Sequence, residues 1–172
     1  AQRAGKSLHE LIAFLQQGDL LKEKINLNDL VREAVNITCN GYGNFKPELR
    51  LEENLPLVLG NKIQIQKILV NLLRNAVEAM RSINALASPV TVAVNKDTEI
   101  KMAHITVNDS GPGLSAEVTA RAFEPFFTTK PTGIGMGLAI SRALTEANGG
   151  KLWFESSKGS GATFHFTLPY AS

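Results

Sequence analysis

The sequence predicts an α+β fold: an α/β sandwich in which a mixed, mostly antiparallel sheet of about five strands carries helices packed on one face. Three observations lead there. A wide apolar stripe at helical spacing runs from Lys62 to about Ile83. Two pairs of β-branched or aromatic stretches each fold back on a short turn, at Lys96-Asp97-Thr98 and at Lys158-Gly159-Ser160-Gly161. Helices separate these hairpins instead of alternating with single strands, so the βαβαβ pattern of a dinucleotide-binding sheet is not evident.

Taken in order, Leu8, Leu11, Ile12 and Leu15 recur at i, i+3, i+4 and i+7, which predicts an amphipathic helix over 7–17 closed by Gly18. Asn28 is placed to cap a second helix with the stripe Leu30, Val31, Ala34 and Val35, running to about Thr38. Gly41, Gly43 and Pro47 mark a loop, and Leu49–Glu53 and Leu57–Leu59 read as two small strands. The long helix follows. Val90–Asn95 and Glu99–Val107 form the first hairpin, which ends in the corner Asn108-Asp109-Ser110-Gly111-Pro112-Gly113. Ser115 caps a short helix through Ala122, and Phe123–Lys130 has no clean period and reads as a clamp-like loop. Gly133-Ile134-Gly135-Met136-Gly137 opens a helix over Leu138–Ala147, stopped by Asn148-Gly149-Gly150. Lys151–Ser156 and Ala162–Leu168 form the second hairpin, with Phe164, Phe166 and Leu168 on one face.

At 172 residues the chain is long enough to bury a sizeable core, and 44% hydrophobic with 20% charged residues is a globular composition. Eighteen Lys and Arg against 16 Asp and Glu leave +2, too little to drive unselective binding to nucleic acid or anionic lipid. One cysteine, Cys39, forms no internal disulfide, and one Cys with three His offers no zinc spacing; a reducing compartment fits. No apolar run is long enough to span a membrane. A start at Ala1 inside a helical pattern suggests a module cut from a longer polypeptide.

Three segments carry chemistry. The glycines at 133, 135 and 137 ahead of a helix free backbone N–H groups for a phosphate, and the helix dipole favours the charge. A G-x-x-x-x-G-K-[ST] loop is absent, which excludes a P-loop. Asn71 and Asn75, four apart, share a helix face with Glu78 near the same line; this is either a solvated polar face or the oxygen donors of a hydrated Mg²⁺. Asp109 at a strand end is either an Asx turn or an inward carboxylate able to accept a hydrogen bond from an amine such as adenine N6. The order of these signals over about 70 residues is far more specific than any one of them.

Ile65-Gln66-Lys67-Ile68-Leu69-Val70-Asn71-Leu72-Leu73-Arg74-Asn75-Ala76 resembles the N box of sensor histidine kinases, and Asp109-Ser110-Gly111-Pro112-Gly113 is similar to their G1 box. Phe123-Glu124-Pro125-Phe126-Phe127-Thr128-Thr129-Lys130 resembles the F box and Gly133–Gly137 the G2 box. Together with Gly161-Ala162-Thr163-Phe164-His165-Phe166-Thr167-Leu168-Pro169, the wording looks most like the oxygen- and nitrogen-sensing subgroup. The resemblance covers about residues 26–169. It implies the Bergerat ATP-binding fold shared with gyrase, the large heat-shock chaperones and MutL, with residues 1–25 as the end of a dimerisation and phosphoacceptor helix plus linker and 26–172 as the catalytic ATP-binding domain.

By motif, the resemblance makes Asn75 the Mg²⁺ ligand and Asp109 the acceptor of adenine N6. Gly111 and Gly113 would admit the purine; Gly133, Gly135 and Gly137, with Leu138 behind them, would shape a lid over the phosphates; Lys130 would meet a phosphate and Thr163 would reach the base through water. Hydrolytic relatives carry a Glu four residues before the metal-binding Asn. Here that residue is Asn71, an amide without usable basicity, which favours phosphoryl transfer to a protein over hydrolysis. Glu78 departs from the basic residue many kinases place there.

His9-Glu10-Leu11 is not read as the acceptor box, because Ile12 and Phe14 stand where the family has Asn or Arg and Pro. His104, His165 and Trp153 read as sheet packing or surface. The expectation is therefore a cytoplasmic kinase module that binds ATP and Mg²⁺ and phosphorylates a histidine on a separate dimerisation domain, with a response regulator as indirect partner. Contact of the fragment with nucleic acid or membrane is not expected; the fragment is expected to be monomeric, its parent a homodimer with or without a membrane anchor, and autophosphorylation of the fragment is not expected. Two alternatives stand beside it: a non-catalytic ATP-binding regulatory module of the same fold, and a dinucleotide-dependent oxidoreductase built on the glycines and Glu155.

Overall fold

The computed structural model describes residues 21–43, 45–82, 90–124, 137–156, 159 and 161–171. The helix read over 7–17 lies outside them. In chain order the elements are β1 (Glu23–Ile25), α1 (Leu27–Gly41), β2 (Glu48–Leu51), β3 (Val58–Gly60), α2 (Lys62–Ser82), β4 (Thr91–Asp97), β5 (Met102–Asp109), α3 (Ala116–Arg121), α4 (Gly137–Ala147), β6 (Leu152–Ser156) and β7 (Ala162–Pro169).

The first helix forms because Leu27, Leu30, Val31, Ala34, Val35 and Thr38 fall on one buried face. Its cap is Asn26, not Asn28: the Asn26 side chain accepts the Asp29 N–H at 3.1 Å. Both asparagines are capping residues by type. Strand β1 ends at Ile25, so the extended residue that enters the helix is Asn26, and Asn28 instead donates its amide to the Glu52 carbonyl at 3.0 Å.

Eight apolar side chains of α2 are buried: Ile65, Ile68, Leu69, Leu72, Leu73, Ala76, Val77 and Met80. At roughly 1.5–3 kcal/mol for each large one, their burial outweighs anything intrinsic helix propensity supplies. Asn61 starts this helix, accepting the Gln64 N–H at 3.0 Å through its side chain and the Ile65 N–H at 3.0 Å through its carbonyl. Asn148, fully buried at the end of α4, pins the same point. Its carbonyl oxygen accepts from the Asn61 N–H at 2.7 Å and its amide donates to Gln64 Oε1 at 2.9 Å and to the Leu144 carbonyl at 2.7 Å. Asn148→Ala removes three hydrogen bonds at a buried junction, so the expected loss is about 2–4 kcal/mol in urea denaturation. A loss under about 1 kcal/mol would mean that water replaces the side chain.

The main sheet has the order β2-β4-β5-β7-β6 and is mixed as expected: β2 runs parallel to β4 and the other three pairings are antiparallel. The parallel pairing requires a crossover, which β3 and α2 supply. Strand β3 leaves this sheet and pairs with β1, an additional short strand whose Ile25 reaches the core. The first hairpin turns later than its apolar alternation suggests, over residues 98–101. Asp97 Oδ1 accepts the N–H groups of Glu99 at 3.1 Å and Ile100 at 3.2 Å, and Lys101 closes the turn at φ 55°.

Alternation along the strands makes two faces. Val92, Val94, Ala103, Ile105, Val107, Phe164, Phe166 and Leu168 are buried with α1, α2 and α4 in one core. The intervening residues of β5 and β7, among them His104, Thr106, Asn108, Thr163 and His165, lie on the other face, mostly half-buried.

Candidate functional site

Asp109 is the last residue of β5 and falls on the core-facing side, 4% exposed. Burial pushes its carboxyl above the ordinary carboxylate range, against the opposing pull of backbone N–H groups from Gly111 and Ala162. The Gly111 N–H donates to Asp109 Oδ1 at 2.8 Å. The chain then lies on α2: Ser110 N–H meets Met80 Sδ at 3.2 Å, and a Cβ on Gly111 would stand 2.9 Å from the Ala79 Cβ. Gly113, at φ 72°, turns the chain away.

Residues far along the sequence brace this loop. Ser156 accepts the Leu114 N–H at 2.8 Å and donates to the Gly161 carbonyl at 3.0 Å, while the Gly159 N–H donates to the Pro112 carbonyl at 2.6 Å. Gly161, at φ 77°, is pressed against the Asp109 carbonyl.

Asn71, Asn75 and Ala79 recur every four residues and so form one row along α2. At one end, Asn71 donates its amide to Ser141 Oγ at 2.8 Å, and a Cβ on Gly137 would come within 2.8 Å of Asn71 Oδ1. That end is therefore the first turn of α4, where unpaired backbone N–H groups and the positive end of the helix dipole gather. At the other end, Ala79 meets the loop of Asp109 and Gly111. Two helical turns separate the ends, about 12 Å. Asn75, half-buried, lies between them.

Of the residues singled out by sequence, Asn71, Asn75, Asp109, Gly111 and Gly137 thus belong to one row and its two ends. Leu138 packs partly buried against the core in the first turn of α4. Lys130, Gly133 and Gly135 lie outside the described residues, as do Phe126 and Phe127. Thr163 is not brought to the site. It is paired with Asn108, whose amide donates to Thr163 Oγ1 at 2.6 Å on the face away from the helices, and its neighbour Ala162 is the residue opposite Asp109. Glu78 also leaves the row: three residues beyond Asn75 it turns toward α1 and accepts the Tyr42 hydroxyl at 3.1 Å. Glu155 lies on the outer face beside His165, far from the role a ribose ligand behind the glycines would need.

Sequence reasoning missed Ser141, Ser156 and Ala162. Phe164, Phe166 and Leu168 already mark the inward parity of β7, and that parity selects Ala162 over Thr163. Ser141 stands one helical turn after Gly137, a spacing that places it beneath the helix start. Nothing local signals Ser156, whose partners are 42 and five residues away. A shallow groove of about 310 Å³ between α1 and α2, lined by Ile37, Ile63, Lys67, Val70 and Arg74, meets the row only at Asn71.

The model of the family described as histidine kinase-, DNA gyrase B-, and HSP90-like ATPase matches residues 60–172. Among curated proteins, the chain is 41% identical over 173 residues to the sensor protein FixL of Bradyrhizobium diazoefficiens, covering 99% of this chain and 34% of that one. It is 33% identical over 169 residues to the sensor protein TdiS of Thauera aromatica, covering 97% of this chain and 31% of that one. The chain thus spans about a third of the length of these relatives. Among solved structures, the nucleotide-free catalytic domain of histidine kinase ThkA superposes with a TM-score of 0.73 at 29% identity, over 87% of this chain and 95% of that domain. Full-length ShkA in complex with AMPPNP gives 0.73 at 27% identity, over 88% of this chain and 31% of that one. With the motifs in order, the sheet mixed as expected and the family model matching well over half of its length, this chain belongs to the histidine kinase-, DNA gyrase B- and HSP90-like ATPases.

Proposed function

We propose that the chain is the ATP-binding catalytic module of a two-component sensor kinase, which donates the γ-phosphoryl group of ATP to a histidine on a dimerisation domain of its parent. The observation that carries this is the row along α2, with a buried carboxylate at one end and a helix N-terminus at the other. An extended nucleoside triphosphate has that polarity, its base a donor and its phosphates an anion. Asp109 accepts the exocyclic amine, Gly111 lets the purine lie against the loop, and the first turn of α4 with Gly137 and Leu138 receives the phosphates. Lys130, Gly133 and Gly135 complete the lid in this reading.

The donor set suits Mg²⁺. Asn75 offers one hard amide oxygen, and among the described residues no group of three His, Cys, Asp or Glu side chains could hold a metal, so the cation would take its other ligands from phosphate and water. When bound, it would neutralise charge on the transferring phosphoryl group. Asn71 is held by Ser141 at the phosphate end, where it orients neighbours by hydrogen bonding but cannot take a proton from water. Water attack is thus left unassisted, whereas the neutral imidazole of an acceptor domain already presents a lone pair to the phosphorus. A cytoplasmic location, a homodimeric parent and a response regulator downstream belong to the same proposal.

Calorimetric titration with a non-hydrolysable ATP analogue, with and without Mg²⁺ and beside NAD, is the test. Saturable, Mg²⁺-enhanced binding is expected, with the enhancement lost in Asn75→Ala. Phosphate should then appear on a histidine when the dimerisation domain and ATP are supplied. A folded sample that binds no analogue, or that prefers NAD, overturns the reading.

A further inference from the structure

The outer face of the sheet carries a side-chain cluster that the nucleotide reading does not use. His104 on β5 and His165 on β7 are diagonal cross-strand neighbours, since His165 is paired with Thr106 and His104 with Thr167. His104 Nε2 and His165 Nδ1 are 2.9 Å apart, and the ring centroids 5.2 Å apart. That separation is close to the sum of the nitrogen contact and two ring radii, so the two nitrogens point head-on at each other. They do not converge on a third point, as two ligands of one metal ion would. Trp153, directly opposite His165 on β6, stacks on it at 5.0 Å with planes 2° apart and lies 5.4 Å from His104.

Proton bookkeeping follows from this geometry. Two neutral imidazoles carry two ring protons on four nitrogens, and the head-on contact needs one of them. Glu155 Oε2 lies 3.6 Å from His165 Nε2 and favours a proton there. Nδ1 of His165 is then bare and accepts from His104 Nε2–H, leaving His104 Nδ1 as the site for the next proton. A third proton leaves the contact intact, because either ring can carry the charge while one proton stays between the inner nitrogens. A fourth proton places N–H against N–H, and the contact must open.

We infer that His104 and His165 form one proton-holding unit that clamps β5 to β7, closed with two or three ring protons and opened by the fourth. The charged groups facing it are few. The Glu155 carboxylate on β6 lies 3.6 Å from the outer nitrogen of His165, beyond hydrogen-bond reach, and Asp97 on β4 attracts protons to His104. Lys151, just ahead of β6, lies across Thr167 from His104. On β2, beyond β4, Glu48 and Arg50 neutralise each other at 3.1 Å. Burial, with the charge of His165, pulls His104 below the ordinary imidazole value of 6.5. The sign is that of a depressed base: its contribution is complete above 6.5 and is lost as the pH falls through the lowered value. The same two strands end at Asp109 and Ala162, so the clamp braces the floor of the nucleotide row from the outer side.

The test is ¹⁵N NMR of the imidazole nitrogens from pH 8 to 4, with amide hydrogen exchange followed over the same range. Expected are protonated Nε2 on both rings at pH 8, coupled titration in two steps, and at least tenfold faster exchange along residues 104–107 and 164–166 after the second step. Emission of Trp153, the one tryptophan of the chain, should change with the same step. Independent titration of the two rings, or coupled titration with no change in strand exchange, overturns the inference.

Discussion

Asp109→Asn is expected to lower affinity for an adenine nucleotide at least about a hundredfold, or ~2.7 kcal/mol, without lowering the melting temperature at pH 7. The first part follows from hydrogen-bond polarity: where the carboxylate accepts an exocyclic amine, the variant can turn an NH₂ toward another donor, and a buried mismatched pair costs the full desolvation of both groups. The second part follows from the raised pKa. A carboxyl lifted above its ordinary 3.8 holds its proton more tightly folded than unfolded, so its contribution is complete below 3.8 and is lost as the pH rises through the raised value. At pH 7 the ionised side chain is therefore a net burden on the fold, and an amide that still accepts the Gly111 N–H removes it. Calorimetry of binding and of unfolding on one sample separates the two claims. Wild-type affinity would remove Asp109 from the nucleotide row, and a lowered melting temperature would make its charge structural.

Gly161→Ala should be strongly disruptive, because a single methyl there meets both an unfavourable backbone conformation and the loop of Asp109. Its φ of 77° disfavours any side chain by roughly 1–2 kcal/mol. The new Cβ would also run into the Asp109 carbonyl and stand 3.1 Å from the Ser110 Cα, backbone atoms that give way only if the loop moves. A total near 3–4 kcal/mol, or a melting temperature lower by about 10 °C, is expected, together with loss of nucleotide binding. Gly159→Ala is the control: φ is 86° there, but a Cβ meets nothing within 4 Å, so only the backbone cost of roughly 1–2 kcal/mol should appear, with binding intact. Equal effects of the two substitutions would show that the contact with Asp109 carries no weight.

Much of this arrangement is written in local periodicity, and the exceptions share a cause. The stripe of α2 and the alternation of β5 and β7 are strong because each of these elements buries one whole face. Asn71, Asn75, Asp109 and Gly111 are legible for the same reason, since their neighbours fix which way they point. Motif wording points to Thr163 where strand parity selects Ala162, because one residue of register changes the face. Asn26 was passed over as the cap because Glu23–Ile25, a strand of three residues with two exposed, has no sequence signature, and the cap is defined by where that strand stops. The parallel neighbour of β4 was equally illegible: β2 shows only a four-residue alternation, and its partner is chosen by the crossover through α2. Ser156 and Asn148 act across 42 and 84 or more residues, beyond any local pattern.

Strand order also bears on how this domain can be synthesised. Strand β7, the last of the described strands in chain order, lies between β5 and β6, and just beyond it Tyr170 bridges Val58 while the Ala171 N–H donates to the Leu57 carbonyl. Until those residues emerge, β5 has an open edge, β6 has no partner and the inner row Phe164, Phe166 and Leu168 is missing from the core. The five-stranded sheet can therefore be completed only after β7 has been synthesised. A stalled or truncated product lacking only the last ten or so of these residues would present an unpaired apolar strand edge, an expected target for chaperones and proteases.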